Sequence, residues 1–392
     1  MRDDLVVDFD HHSAGFGSDP FGECARLRAI NPVVWTWAHG GYWVVTGHEE
    51  VAEAFRDYEV FSSASGATIP DLSLGTNHLP ITVDPPEHSS YRRILVPLLS
   101  RSALAYIEPE IRATVGALLD DFKERGSWEF VEDFAAIVPS LVTLRLLGFP
   151  EEKRNQFRDA MRRSIDQGGS TTAEDVAEER EWMIAEIRAG IEARRAAPTD
   201  DLLSLLVHEP FEDRRLADEE LINLYFTLFI GGFHTTIAAV SSAVVHLQQE
   251  PADRAALIAD PTLIPEAIEE LIRCYPPAMG MARTVTTETK LGGVTMRAGD
   301  KVLLSIAGAN HDPSVFTDPD RVDFSRGPRT SMAWGWGVHR CVGIHLARIM
   351  LAVELGMLLD LIPGFVVDEG GVVRSESLGF SYHFDRIPAT VE

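Results

Sequence analysis

A cysteine in a glycine-rich run is the strongest candidate for chemistry in this sequence. Residues 334–343 read WGWGVHRCVG, with Cys341 near the end. Gly335, Gly337 and Gly343 allow unusual backbone dihedral angles and a close approach of the chain to a bound group. A helix is predicted to begin just after Cys341, and the partial positive charge of a helix N-terminus lowers the pKa of a thiol. The run predicts a thiolate that binds a metal ion; the alternative is a buried structural cysteine in a turn.

A histidine and two threonines lie in the middle of a long uncharged segment. Residues 221–249 contain no Asp, Glu, Lys or Arg, and residues 231–236 read GGFHTT. The imidazole of His234 can transfer protons near neutral pH, which makes it a candidate for proton transfer. Thr235 is a further candidate for chemistry. The alternative is that its hydroxyl only bonds the backbone carbonyl four residues earlier, as a threonine in a helix often does.

Hydrophobic patterning predicts helices around both groups. The uncharged segment is predicted as a helix at about 217–249, which Pro251 stops, and a helix so long and apolar should cross the centre of the protein. Its length would also span a bilayer, but its acidic flanks and its central Gly, His and Thr residues favour a buried helix. Further helices are predicted at 48–56, at 128–147 with Ser127 as N-cap and a break at Pro139, at 265–275, and from Cys341 to about residue 361.

The remaining segments predict short strands and one long loop. Strands are predicted at about 42–46 and within 283–305. Residues 62–86 are rich in Gly, Pro, Ser and Asn and predict an irregular loop, which in a compact domain is usually functional. The fold class is therefore mainly α with small β-sheets (α+β). Residues 1–392 are predicted to form a single domain, with a β-rich part at about 1–80 and a helix-rich part at about 81–392.

Composition narrows the classes of partner. Asp and Glu outnumber Lys and Arg by 60 to 35, which gives a formal net charge of −25. This charge argues against non-specific binding to nucleic acid and against an anionic membrane surface as partner. The three cysteines are odd in number and widely spaced, so they indicate neither a disulfide framework nor a zinc site. With no signal peptide in the sequence, a reducing cytoplasm is the expected location.

Residues 334–343 resemble the haem-ligand signature of the cytochrome P-450 family, F-G-x-G-x-H-x-C-x-G, with Trp334 where the family usually has Phe. The resemblance covers nearly the whole chain and is typical of soluble bacterial members. It implies the family's fold, a triangular prism with a long central helix over the haem, and haem b as the cofactor. It implies Cys341 as the iron ligand, His339 as a contact of a haem propionate, and Trp334 and Gly335 as neighbours of the cofactor.

Three further basic residues match the family's propionate-binding positions. Residues 84–92 resemble D-P-P-E-H-x-x-x-R and supply His88 and Arg92, whose spacing of four places them one above the other on a helix. Arg283 follows the Pro-Pro turn at 276–277. A cofactor with two carboxylates in an apolar site requires cationic partners, so these three residues and His339 are expected to converge.

Residues 231–236 resemble the family's oxygen-binding signature, A/G-G-x-D/E-T-T. The resemblance implies that Gly232 lets the helix approach the haem face. It implies that Thr235 assists oxygen activation and holds a water for proton delivery. His234 replaces the usual carboxylate, as in sterol demethylases of the same family. Thr235 and His234 are therefore the expected catalytic residues.

Glu270 and Arg273 resemble a second family signature, E-x-x-R. Their spacing of three places both charges on one helix face. Arg321 matches the arginine of a later loop that meets this pair in the family. The implied role of the three residues is structural: they hold the loop that carries Cys341.

The resemblance implies an enzyme, a haem-thiolate monooxygenase that inserts one oxygen atom from O2 into an apolar organic substrate. Electrons would come from NAD(P)H through a separate ferredoxin or flavodoxin with its reductase, docking near Cys341 on a basic patch of Arg92, Arg93, Arg340 and Arg348. Two alternatives stay open. One is a haem-thiolate enzyme that catalyses coupling, desaturation or peroxide-driven oxidation; the other is a non-enzymatic haem protein that senses a ligand.

Apolar residues at the family's pocket positions predict an apolar substrate. The alternative for each of them is a plain core residue. They are Phe229, Phe233, Ala278, Met279, Met281, Leu378 and Phe380, together with Ile69, Leu72 and Leu74 in the long loop.

Overall fold

Helices form most of the chain, as the sequence predicts. The computed structural model describes residues 3–71, 77–165, 173–326, 330–375 and 379–391. The predicted helices at 48–56, 217–249 and 265–275 are present to within one residue at either end. In chain order the α-helices are α1 (Ala14–Ser18), α2 (Pro20–Ile30), α3 (His48–Arg56), α4 (Glu87–Leu98), α5 (Glu108–Arg125), α6 (Ile137–Leu147), α7 (Arg154–Ile165), α8 (Ala173–Ala196), α9 (Leu202–His208), α10 (Asp218–Gln249), α11 (Pro251–Ala259), α12 (Ile264–Cys274), α13 (Ile306–Asn310) and α14 (Ile344–Leu361).

The strands are short and form small sheets. They are β1 (Val33–Thr36), β2 (Tyr42–Val45), β3 (Phe61–Ser62), β4 (Ser127–Glu129), β5 (Gly280–Val285), β6 (Thr289–Leu291), β7 (Val294–Met296), β8 (Lys301–Ser305), β9 (Phe365–Val367), β10 (Val373–Arg374), β11 (Phe384–Arg386) and β12 (Pro388–Val391). The largest sheet has the order β1-β2-β8-β5-β3, and β2 runs parallel to β8. The described part of the first 80 residues is therefore not a β-rich part of its own. It carries α1 to α3, and its strands are completed by strands from residues 280–305.

Helix α10 crosses the interior, as its composition predicts. It begins after Ala217, whose backbone N–H donates to the Glu220 carboxylate at 2.7 Å, and it ends before Pro251 opens α11. Its length and its mean hydropathy of 1.6 would suffice for a membrane span, but 61% of its most apolar window is buried inside the protein. It contacts α6, α8, α12 and α14, so we interpret it as the central core helix.

The prediction of a helix over 128–147 is wrong at its start. Residues Ser127–Glu129 form β4, which pairs antiparallel with β12 so that Trp128 faces Ala389. A π-helical turn follows at Val131–Ala135, and α6 begins only at Ile137. Because the partner strand lies some 260 residues later in the chain, local patterning cannot reveal the pairing. Pro139 does not break α6, because it lies in the first turn, where a backbone N–H has no partner within the helix.

A buried carboxylate organises the segment before the glycine-rich run. Glu270, 5% exposed, accepts hydrogen bonds from Arg273 Nε and Nη2, each at 2.8 Å. It also accepts from Arg326 Nε and from the backbone N–H of Asp323, each at 3.0 Å. Arg273 uses its remaining donor, Nη1, on the carbonyl oxygens of Asn310 and Pro319. Every charge in the group is thus paired, which burial of charges requires.

The arginine that joins this pair is Arg326 and not Arg321, so the sequence prediction is wrong here. Arg321 contributes only its carbonyl oxygen, which accepts from Arg273 Nη2 at 3.2 Å, while its side chain is exposed. The turn at 318–321 directs the Arg321 side chain outward, and the chain then returns so that Arg326 reaches Glu270. Motif position alone does not show which of two nearby arginines faces inward.

The same network reaches the glycine-rich run. The carbonyl oxygen of Asn310 accepts from Arg273, and the side-chain oxygen of Asn310 accepts from the backbone N–H of Met332 at 2.7 Å. Met332 in turn accepts the N–H of Gly335, and Trp334 accepts that of Cys341, each at 2.8 Å. Hydrogen bonds, together with the short backbone segments between them, therefore connect α12 to Cys341.

We expect Arg326→Ala to lower the free energy of unfolding by about 1.5–3 kcal/mol, because it removes a hydrogen bond to a buried charge. Arg321→Ala is the matched control, and its exposed side chain predicts a change within about 0.5 kcal/mol. Urea unfolding of both variants measures the difference. Equal losses in the two variants would contradict the assignment of Arg326.

Candidate active site

Backbone geometry brings Cys341 to the start of α14. Gly335 and Gly337 adopt φ values of +70° and +68°, in the left-handed region that favours glycine. A Cβ atom at Gly337 would lie 2.4 Å from the carbonyl oxygen of Phe55, so this position also requires the absence of a side chain. The run therefore turns back tightly on itself between α3 and α14, as its glycines predict.

Cys341 is an exposed residue, although protein groups lie close around its thiol. Burial raises the pKa of the Cys341 thiol, and this effect outweighs the opposing influence of the Gly343 N–H and of the Arg92, Arg340 and Arg348 charges. The N–H of Gly343 at the start of α14 lowers this pKa, as expected, but desolvation of the thiolate outweighs the effect. Metal coordination deprotonates a thiol outright, so a ligand role remains compatible with the raised pKa.

The indole of Trp334 is held by a carboxylate that the sequence analysis did not identify. Trp334 Nε1 donates to Glu269 at 2.9 Å, and Arg348 Nε donates to the other oxygen of Glu269 at 2.7 Å. The Arg348 guanidinium also lies 5.5 Å from the centre of the Trp334 ring. Tryptophan, unlike the Phe usual in the family, carries an indole N–H that needs a hydrogen-bond acceptor when buried. This substitution was the sequence signal that an acceptor such as Glu269 lies nearby.

Four basic residues converge, as the resemblance implies. The rings of His88 and His339 lie 4.3 Å apart. Burial, followed by the charges of Arg283, His88 and Arg92, lowers the pKa of His339 to about 2. Burial and the charge of Arg92 lower the pKa of His88 to about 4. Arg283 is only 3% exposed, and burial lowers its pKa to about 10.

This basic cluster fits a cofactor with two carboxylates, which is the character of haem b. Neither ring nitrogen of the buried His88 has a hydrogen-bond partner among the described residues. Two arginines beside two neutral imidazoles, one of which has no hydrogen-bond partner, are stabilised by an anionic ligand. Arg92 lies near both the cluster and the Cys341 thiol, so one ligand can reach both.

Ser63 and Asp84 position His339 and were not identified from the sequence. Asp84 accepts from the backbone N–H of Ser63 at 3.1 Å and from its hydroxyl at 3.0 Å. The same hydroxyl lies 3.2 Å from His339 Nε2. Both residues belong to the loop at 62–86 that the sequence predicts to be functional, but loop composition does not show which of its polar residues face inward.

On α10, Gly231 and Thr235 share the open face. Nothing lies within 4 Å of the place where a Cβ of Gly231 would stand, whereas a Cβ at Gly232 would lie 2.6 Å from Thr143 Oγ1. Gly232 therefore lets α10 pack closely on α6, and the expectation that it faces the cofactor is wrong. Residues four apart lie on one face of a helix, so Gly231 is the glycine that accompanies Thr235. The Thr235 hydroxyl donates to the Gly231 carbonyl at 3.0 Å, the local bond that the sequence allows.

His234 lies one residue before Thr235 and contacts the C-terminal part of the chain. Its ring centre lies 4.7 Å from that of His383, and its Nε2 has no hydrogen-bond partner among the described residues. Burial and the charge of His383 lower the pKa of His234 to about 3. His234 is therefore a neutral imidazole at ordinary pH.

The predicted pocket residues divide into two groups. Phe229 and Phe233 are 0% and 2% exposed, and Phe229 stacks on Phe157 at 4.6 Å, so both are core residues on a face of α10 away from Thr235. Met279 and Ile69 are also buried in the core. The partly exposed candidates are Ala278, Met281 and Phe380, whereas Leu72, Leu74 and Leu378 lie outside the described residues.

Comparison with known proteins agrees with this geometry. The family model described as Cytochrome P-450 matches residues 155–361. Pentalenic acid synthase of Streptomyces avermitilis is 33% identical, over 82% of this chain and 81% of that protein. Steroid C26-monooxygenase of Mycobacterium tuberculosis is 33% identical, over 86% of this chain and 90% of that protein.

A solved structure shares the whole architecture. A Mycobacterium marinum cytochrome P-450 in complex with pseudoionone superposes with a TM-score of 0.91 at 28% identity, over 98% of this chain and 99% of that one. The match confirms the mainly helical fold with small sheets and the haem b cofactor. The chain belongs to the cytochrome P-450 family and is a haem-thiolate monooxygenase.

Proposed function

We propose that this enzyme inserts one oxygen atom from O2 into an apolar organic substrate, with Cys341 as the iron ligand. The observation that carries this proposal is the arrangement of Cys341 beside Arg92, next to a basic cluster that fits two propionates. When bound, the haem supplies the redox chemistry, and a thiolate ligand favours cleavage of the O–O bond. The protein residues orient the cofactor, exclude water and move protons.

The basic cluster orients the cofactor in this proposal. His88, Arg92, Arg283 and His339 hold the propionates, and Ser63 fixes the ring of His339 through its hydroxyl. Trp334, fixed by Glu269, covers the sulfur side. Gly231 and Thr235 form the face of α10 on the oxygen side, since this face has room that Gly232 lacks.

Protons are supplied along a path of side chains from the surface. Asp385, with a side chain 58% exposed, lies 3.6 Å from His383 Nε2, and the His383 ring contacts that of His234. A neutral imidazole can accept a proton at one nitrogen and release one from the other. We propose that His234, neutral at ordinary pH, uses its unpartnered Nε2 in passing protons toward Thr235.

The electron donor is a separate ferredoxin or flavodoxin with an NAD(P)H-dependent reductase. Arg92, Arg340 and Arg348 lie near Cys341, and Arg93 and Arg340 are exposed, so a basic patch lies on the thiol side of a strongly acidic protein. A patch of this sign suits an acidic electron carrier.

Substrate class, location and domain organisation complete the proposal. An apolar substrate is supported by the partly exposed Ala278, Met281 and Phe380 and by a steroid monooxygenase among the relatives. A cytoplasmic location is supported by three free cysteines. A single domain over residues 1–392 is supported by sheets that pair strands far apart in the chain, β2 with β8 and β4 with β12.

The reduced, carbon-monoxide-bound enzyme is expected to show the red-shifted Soret band after which the family is named, because a thiolate is the axial ligand. Cys341→His should move the band to the position typical of imidazole-ligated haem. Optical spectra of both proteins measure this. A wild-type protein that is folded and haem-loaded but shows only the imidazole-type band would refute Cys341 as the ligand.

Thr235→Ala is expected to keep substrate binding and NAD(P)H consumption but to divert much of the flux to hydrogen peroxide. Thr236→Ala is the matched control, because the neighbouring Thr236 is only 3% exposed, and this change should leave coupling intact. Product, peroxide and NAD(P)H are quantified together. The same loss of coupling in both variants would contradict a role specific to Thr235.

His234→Ala and His383→Ala are expected to slow turnover and to change the solvent isotope effect, since both interrupt one proton path. Because the pKa of His234 is lowered to about 3, the wild-type rate between about pH 6 and pH 8 should show no titration of this residue. If both variants lose only thermal stability, with rate, coupling and isotope effect unchanged, the two rings form a packing contact and no relay.

Arg93→Glu is expected to raise the KM for an acidic ferredoxin severalfold at low salt, because it reverses a charge on the proposed docking face. Arg112→Glu, on the exposed surface of α5, is the control. Turnover is compared at low and high ionic strength, where screening should reduce the difference. An unchanged KM at low salt places the donor elsewhere.

A further inference from the structure

The helix that carries two of the proposed propionate partners is held on its other side by the start of α10. His88 and Arg92 lie on α4, and Tyr91, which is 1% exposed, lies on the same helix. The Tyr91 hydroxyl donates to a carboxylate oxygen of Glu220, in the first turn of α10, at 2.7 Å. We infer that Tyr91 and Glu220 are positioning residues, which hold the cofactor-binding face of α4 in a fixed relation to the oxygen-side helix α10. This inference rests on the propionate role proposed above for α4.

The carboxylate of Glu220 is itself fixed by the loop before α10. It accepts hydrogen bonds from Arg214 Nη1 at 2.6 Å and from Nη2 at 2.7 Å, and from the backbone N–H of Ala217 at 2.7 Å. Pairing through two nitrogens of one guanidinium restricts the position of a carboxylate as well as stabilising it. The hydrogen bonds from Arg214 lower the pKa of Glu220 to about 2, so this carboxylate is an anionic acceptor for the Tyr91 hydroxyl at ordinary pH.

Further contacts bind the same loop to α4. The ring of Phe211 stacks on that of Tyr91 with the ring centres 4.9 Å apart, and the Arg214 guanidinium lies 4.8 Å from the centre of the Phe211 ring. The Ser90 hydroxyl donates to the carboxylate of Glu212 at 2.6 Å. Glu212 adopts a φ of +56°, which residues other than glycine rarely do, so the loop takes an unfavourable backbone conformation at the place where it reaches α4.

The rigidity of a helix transmits this restraint to the cofactor side. Because the direction of each side chain is fixed relative to the helix axis, His88 and Arg92 cannot turn or slide with α4 unless Tyr91 moves as well. Arg92 Nη1 also donates to the carbonyl oxygen of Arg340, beside Cys341, at 2.8 Å. A shift of α4 would therefore disturb both the propionate contacts and the thiol loop, and the hydrogen bond of Tyr91 opposes such a shift.

The test measures cofactor retention and propionate contacts in the haem-loaded enzyme. Transfer of haem to an excess of apomyoglobin gives the release rate, and the propionate bending bands of the resonance Raman spectrum report the hydrogen bonds that the propionates receive. Tyr91→Phe keeps the stacked ring and removes only the hydroxyl. We expect it to release haem about fivefold faster than the wild type and to shift the propionate bands.

A double-mutant cycle and two matched controls isolate the interaction. Glu220→Ala should also release haem faster, and adding Tyr91→Phe to it should cause no further increase, because both changes remove the same hydrogen bond. Tyr106→Phe removes a hydroxyl from a side chain that is 60% exposed, and Glu219→Ala removes an exposed carboxylate from the same turn of α10. Both controls should release haem at the wild-type rate. Arg92→Ala tests the propionate role itself and should change both readouts.

The outcomes separate this inference from the proposed function. If Arg92→Ala changes both readouts and Tyr91→Phe changes neither, the inference is overturned and the propionate role stands, even where Tyr91→Phe lowers thermal stability. Release rates that multiply in the double variant would show that Tyr91 and Glu220 act independently, which also overturns the inference. Wild-type haem release and propionate bands in Arg92→Ala would remove the propionate role of Arg92, and the inference with it.

Discussion

Two adjacent carboxylates on α12 hold the thiol loop from two directions. Glu270 pairs with Arg273 and Arg326 and thereby fixes the segment that leads into the glycine-rich run. Glu269 binds Trp334 within that run and Arg348 on the helix that follows Cys341. Burial of either carboxylate without partners would destabilise the protein. Each of them accepts hydrogen bonds from at least two donors, so together they position the loop that carries Cys341.

The opposite arrangement is found on the cofactor side, where four basic residues converge and Asp84 is the carboxylate beside them. Burial lowers the pKa values of His88, His339 and Arg283 because the charged forms lose water and repel one another. Such a cluster is stable when an anion enters it. The buried carboxylates of α12 are therefore paired with arginines of the protein, whereas the basic residues of the cofactor site remain available to pair with the propionates of the cofactor.

The sequence predicted the residue types well and their directions less well. The long helix, the cysteine and the convergent basic residues follow from composition and spacing. Helical periodicity and the need for glycine in a tight turn involve residues that are close together in the sequence, so the sequence shows them directly. The choices between Arg321 and Arg326, and between Gly231 and Gly232, depend on which side of a turn or helix meets its neighbour. Phe229, expected in the pocket, is instead a core residue for the same reason. These directions depend on tertiary packing, which a sequence motif does not show.

The central claim is that the sulfur of Cys341, and no other group, completes the iron site. Iron X-ray absorption of the substrate-free ferric enzyme tests it most directly, compared with Cys341→His, in which Cys24 and Cys274 are intact. We predict a sulfur scatterer in the first shell of the iron in the wild type and only nitrogen or oxygen scatterers in the variant. A first shell without sulfur in the wild type, or one that keeps sulfur in Cys341→His, would contradict the account.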